Sequence, residues 1–105
     1  MLTPQAGPPP GIDGTYRGTA RLIRAANASC PRSGPRVYRV ENGQVTLSYG
    51  SSRRRVSLTA AVGGDGRFSA SDGVGTMEGT LQNGRLEVSI ADSVCEHRWT
   101  LTRAG

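Results

Sequence analysis

The chain predicts an all-β fold: a single antiparallel eight-stranded up-and-down barrel, with a two-sheet β-sandwich as the alternative. Three observations carry this. Eight short runs alternate apolar and polar residues with the two-residue period of a strand. Turn residues separate them, including Asn42-Gly43 and Asn83-Gly84, where both positions favour positive φ. No helical spacing of apolar residues persists for ten residues. The 105 residues fit one domain, and fifteen glycines suit a turn-rich β protein.

Met1 to Asp13 (MLTPQAGPPPGID) reads as a Pro/Gly-rich flexible tail or linker ahead of a domain spanning 14–105. Three consecutive prolines favour an extended path. The first strand runs from Thr15 to Ala25, with Tyr16, Gly18, Ala20 and Leu22 on one face and Arg17, Thr19 and Arg21 on the other. Ala26 to Pro35 is the longest internal loop, because two prolines and a glycine interrupt any regular element. Strand two, Arg36 to Glu41, turns inward Tyr38 and Val40. It joins strand three, Gln44 to Tyr49, through Asn42-Gly43. Strand three buries Val45, Leu47 and Tyr49.

Strand four, Arg53 to Val62, buries Val56, Leu58, Ala60 and Val62. Gly63-Gly64-Asp65-Gly66 turns it into strand five, Arg67 to Ala70, with Phe68 inward. Ser71 to Gly73 leads to strand six, Val74 to Gln82, with Met77 and Leu81 inward. Asn83-Gly84 leads to strand seven, Arg85 to Ala91, which buries Leu86, Val88 and Ile90. Asp92-Ser93 leads to strand eight, Val94 to Arg103. There Cys95, His97, Trp99 and Leu101 share one face, and Glu96, Arg98, Thr100 and Thr102 the other.

An even-numbered meander closes naturally by pairing its first and last strands, which removes both edges. Consecutive hairpins alternate ends. The Asn-Gly and Gly-Gly-Asp-Gly turns form a tight end. The 26–35 loop and the turns near 50–52, 71–73 and 92–93 form a looser one. Cys30 and Cys95 both fall at the looser end, so a disulfide between them is predicted. It would close a loop of about 65 residues and stabilise the fold by roughly 4 kcal/mol through lost chain entropy. So many bulky residues on short strands would largely fill the interior, leaving a shallow cup at the loop-rich end.

The formal charge is +5, carried by thirteen arginines and no lysine. That usage fits a GC-rich bacterial coding sequence, so only clustered arginines carry functional information. Arg53-Arg54-Arg55 is such a cluster, and Arg24, Arg32 and Arg36 flank the long loop at the same end. Guanidinium groups bind carboxylates and phosphates bidentately. Arg32, Arg36, Arg53, Arg54, Arg55 and Trp99 are therefore the predicted ligand- or partner-binding residues. The expected partner is an acidic protein or an anionic small ligand. Nucleic acid is disfavoured because the few aromatics read as interior and form no stacking platform.

Two cysteines fit one disulfide in an exported bacterial protein, periplasmic or secreted. The Pro/Gly start does not read as a secretory leader. An exported form would thus have lost its leader or be one domain of a longer chain. A cytosolic protein with two free thiols is the alternative. No apolar run reaches membrane-spanning length.

No catalytic residue is expected. His97 is the only histidine, a Cys30–Cys95 bond leaves no thiol, and no serine sits in a nucleophile elbow. Two cysteines and one histidine fall short of a zinc site, and no metal or other cofactor is expected. Asp65-Gly66 and Asp72-Gly73 lack the acidic neighbours of a calcium loop and read as turns.

Gly14-Thr15-Tyr16 opens the first strand and Arg103 closes the last. This resembles the calycin pattern of lipocalins, fatty-acid-binding proteins and avidins, in which a Gly-x-Trp on strand one packs under a basic residue from the final strand. Here Tyr16 replaces the Trp, and the chain is shorter than those families. The overall pattern is also similar to small one-disulfide β-barrel domains of exported bacterial proteins, among them periplasmic protease and lysozyme inhibitors. The expected function is a non-enzymatic binding module that works through its Arg-rich, disulfide-pinned end. The alternatives are a carrier whose cup near Trp99, Tyr49 and Tyr38 holds a small apolar ligand, a secreted inhibitor that inserts the 26–35 loop into an enzyme, and a structural subunit of a larger assembly.

Overall fold

The structure is a computed structural model that describes residues 11–51 and 54–104, with the backbone alone described at Ser51 and Arg54. The remainder of the predicted tail, residues 1–10, and Arg53 lie outside the described residues. The chain is all-β. Its strands are β1 (Gly14–Ala25), β2 (Gly34–Val40), β3 (Gln44–Ser51), β4 (Arg54–Ala61), β5 (Arg67–Ser71), β6 (Thr76–Gln82), β7 (Arg85–Ala91) and β8 (Cys95–Arg103). All eight predicted strands are present, and each boundary falls within two residues of its predicted place.

The turns follow from their residues. Asn42 and Asn83 have φ of 54° and 53°, followed by Gly43 at 68° and Gly84 at 75°. Two successive positive φ values match the right-handed twist of a two-residue hairpin. At the other end two turns share one design. Asp72 Oδ1 accepts from the backbone N–H of Val74 and Gly75, at 2.9 and 2.8 Å. Asp92 Oδ1 accepts from Val94 and Cys95, at 2.9 and 2.7 Å. Each aspartate thus satisfies the donors that a tight reversal leaves unpaired.

The strand order does not show the expected closed barrel. One six-stranded sheet runs β2-β1-β8-β7-β6-β5, and a separate two-stranded sheet holds β3 and β4. The predicted meeting of first and last strands is present, with Tyr16 opposite Arg103 and Ala25 opposite Cys95. Between β2 and β3, however, the ladder stops after the Glu41–Gln44 bridge. The Tyr38 side chain fills the next position, where its Oη accepts from the Thr46 N–H at 2.6 Å. A side chain thereby stands where a backbone carbonyl would have to be, and the strands diverge. Between β4 and β5, Gly63 N–H donates to the Arg67 carbonyl at 2.9 Å, but the strands themselves are not hydrogen-bonded neighbours.

One core lies between the two sheets. Val45, Leu47, Leu58 and Ala60 of the small sheet join Tyr16, Val40, Met77, Leu81, Leu86, Val88, Ile90 and Leu101 of the large one. Leu101, Leu86, Met77 and Val45 are fully buried. Each such side chain contributes about 1.5–3 kcal/mol relative to exposure. Of the predicted inward set, Tyr38 and Trp99 are partly buried and pack against this core, whereas Val56 and Leu22 depart from it. Val56 is 38% exposed, although Tyr49 opposite it on β3 is buried in the core. Leu22 is half-buried, next to a register shift between Leu22 and Arg24 that turns Ile23 outward.

Gly18 marks the tightest strand contact. A Cβ there would sit 2.0 Å from the Thr100 carbonyl oxygen of β8, so a side chain would force the first and last strands apart.

Candidate functional site

The predicted disulfide is present: Cys30 and Cys95 are bonded, with their Cα atoms 5.7 Å apart. It anchors the β1–β2 loop to the start of β8. Further bonds fix the same loop. Ala26 N–H donates to the Val94 carbonyl at 2.8 Å. His97 Nε2 lies 2.7 Å from the Pro31 carbonyl oxygen. A carbonyl only accepts, so Nε2 carries the proton and donates. The only histidine is thus a buried support for the loop and faces the same side as Cys95.

Where β2 and β3 diverge, a cleft of about 120 Å³ opens at this end. Trp99, His97 and Ile90 form its floor, Tyr49 of β3 one wall, and Arg36 and Arg55 its rim. Arg36 is held in place. Its Nη1 donates to the Pro35 carbonyl at 3.0 Å and its Nη2 to the Arg32 carbonyl at 2.7 Å. Its guanidinium carbon sits 5.6 Å from the centre of the Trp99 ring, within the range of a cation–π contact. Arg55 makes one long contact, Nη2 to the Ser48 carbonyl at 3.5 Å.

The predicted binding residues therefore sort into groups. Arg36, Arg55 and Trp99 meet in the cleft. Arg32 is exposed beside it and contributes its backbone carbonyl to Arg36. Arg54 follows in β4 with its backbone alone described, and Arg53 lies outside the described residues. Arg24, which the sequence placed in the same group, is committed elsewhere. It donates to the carbonyls of Asp92 and Ser93, at 2.6 and 3.1 Å, and pairs with Glu96 at 3.7 Å.

Sequence reasoning treated Tyr49 as a lining residue and Asp72 as a turn residue. The structure joins them: the Tyr49 hydroxyl donates to Asp72 Oδ2. That bond, reinforced by burial, pushes the Tyr49 pKa up to about 12. The same bond, with the Gly75 and Val74 amides, holds the Asp72 carboxyl below its ordinary value. Tyr49 remains a neutral wall and Asp72 an ionised group behind it. Alternation on β3 was the only signal for Tyr49, and nothing in the sequence pairs it with position 72.

Two other hollows are weaker candidates. A shallow groove of about 900 Å³ crosses the outer face of β5 to β8, but Arg67 and Arg98 there are mixed with Glu78 and Glu87. Its field has no single sign. A hollow of about 480 Å³ at the tight end includes Tyr16 and Arg103. Arg103 is used up there: it donates to the Asp13 carbonyl at 2.7 Å and also to that of Gly11. The smaller cleft is preferred because its charge is of one sign and its aromatic floor is specific.

Compared with known proteins, the chain matches no family model, no curated protein and no solved structure.

Proposed function

We propose that this chain is a non-catalytic binding module whose working surface is the Arg-rich end beside the Cys30–Cys95 bond. Its target presents negative charge there, either as an acidic protein surface or as an anionic small ligand. One observation supports this above the others: Arg36 and Arg55 face the cleft with no carboxylate side chain paired to either among the described residues. The chain has eight acidic residues, and most are engaged elsewhere. Glu41, Glu87 and Glu96 pair with Arg39, Arg85 and Arg24. Asp13, Asp65, Asp72 and Asp92 cap turns. The positive charge at the cleft is left for a partner.

The disulfide supports an oxidising compartment, and the lysine-free composition supports a bacterial one, periplasmic or extracellular. A carrier of calycin-like kind is the second reading. It draws support from the facing of Tyr16 and Arg103, with Arg103 packed over Gly14, and from the Trp99 floor.

The test compares two charge reversals of equal size. Arg36→Glu with Arg55→Glu alters the cleft; Arg21→Glu with Arg67→Glu alters exposed positions outside it. A glutamate-rich peptide is titrated into each. The cleft variant should lose at least about tenfold in affinity, in line with one or two charge-assisted hydrogen bonds, and the control should lose far less. Equal losses would mean that binding follows net charge alone, and the reading would be abandoned.

A further inference from the structure

We infer that the cleft takes a small monocarboxylate whose apolar body is about the size of one six-membered ring. This deepens the binding proposal above and rests on it.

Size comes first. The cleft holds about 120 Å³, and an apolar cavity of about 150 Å³ holds benzene. A single ring or short branched chain therefore fits, with its polar end left at the mouth. A fatty acid does not.

Shape and charge set the polar end. Arg36 is a planar fork whose orientation is already fixed by the Pro35 and Arg32 carbonyls and the Trp99 ring. Among the described residues two of its five N–H donors are engaged, which leaves three for a ligand. A planar carboxylate matches such a fork bidentately, and a fixed fork loses little entropy on binding. Arg55 stands on the opposite strand pair, on the same cleft, and its contact among the described residues is the long one to Ser48; it adds a second positive charge near the carboxylate.

The walls argue for a single negative charge. Trp99, Ile90 and the Tyr49 ring favour an apolar body. Asp72, bonded to the Tyr49 hydroxyl, keeps a negative charge behind that wall. A second charge on the ligand, as in a phosphate or dicarboxylate, would meet it.

The experiment follows the Trp99 indole N–H by NMR while benzoate, benzyl alcohol and a glutamate-rich peptide are titrated separately. Benzoate should shift the resonance saturably, and benzyl alcohol should bind at least about tenfold more weakly. Arg36→Gln should weaken benzoate roughly 10- to 100-fold, the range for a hydrogen bond to a charged group. Arg55→Gln, an exposed change that costs the fold one long contact, should weaken it in the same direction. Equal binding of benzyl alcohol, or undiminished benzoate binding by both variants, would overturn the assignment. If the peptide moves Trp99 and benzoate does not, the ligand is a protein carboxylate: this assignment falls and the binding-module reading stands. If neither moves it, both fall.

Discussion

The Tyr49 hydroxyl donates to the Asp72 carboxylate across the gap between the two sheets. Tyr49 belongs to the two-stranded sheet and Asp72 to the turn between β5 and β6. Gly75 makes room for the ring: a Cβ there would lie 2.5 Å from Tyr49 Cε1. Where the backbone ladder is broken, this side-chain bond ties the sheets together at the cleft end.

Tyr49→Phe tests it through pH. The Asp72 carboxyl is held below its unfolded value of 3.8, so its contribution is present above that value and is lost as pH falls through the folded one. Tyr49 is pushed up to about 12 from 10.0. Its contribution is complete below pH 10.0 and is lost as pH rises through about 12. Wild type should therefore melt above Tyr49→Phe across the neutral range, with the gap closing at both extremes. Melting curves from acid to alkali check this; a constant gap would show that the lost hydroxyl matters only through packing.

Breaking the disulfide should cost about 4 kcal/mol for a loop of this length. Urea unfolding of the oxidised protein against Cys30→Ser with Cys95→Ser measures the difference. The double variant should also lose the protection of the Pro31 region, because the His97–Pro31 bond holds a loop that the disulfide no longer anchors.

Gly18→Ala should destabilise by at least about 1–3 kcal/mol, the usual range for overpacking. The added methyl would meet backbone at 2.0 Å, and backbone in a paired strand has little room to yield. Gly34→Ala is the contrast. Its added Cβ meets only the Arg36 side chain, at 3.4 Å, so thermal unfolding should show little change.

Asp13→Ala should release the β2–β3 turn. Its carboxylate accepts from the Asn42 and Gly43 amides at 2.8 and 2.9 Å. Hydrogen exchange at those two amides should accelerate, while the Asn83-Gly84 turn is unchanged. Asn42→Ala, at φ 54°, should cost about 1–2 kcal/mol because an alanine strains in that region.

Local chemistry was readable wherever one or two residues decide the outcome. Asn42-Gly43 and Asn83-Gly84 specify their turns, and alternation on β7 and β8 specifies which residues are buried. The Cys30–Cys95 pairing followed from hairpins alternating ends. The opening of the barrel did not follow. It depends on the Tyr38 hydroxyl taking the Thr46 amide, a competition between a side chain and a backbone carbonyl that alternation does not encode. The same holds within the site. Arg36 and Trp99 were both singled out, but their stacking arises from the approach of β2 to β8 across β1. Arg24 shows the limit of grouping charges by sequence neighbourhood: it lies near the cluster and is consumed by the Asp92–Ser93 turn.

Two separate sheets leave four strands, β2, β5, β3 and β4, with a neighbouring strand on one side only. Bare edges invite pairing with another chain, and proline or charge along an edge discourages it. Pro35 in β2 offers no N–H, and Arg36 and Arg39 follow it. Arg54 and Arg55 begin β4, and Arg67 begins β5. When two copies of this chain meet edge to edge, like charges meet first. Fibril-like stacking along these backbone margins is thereby discouraged.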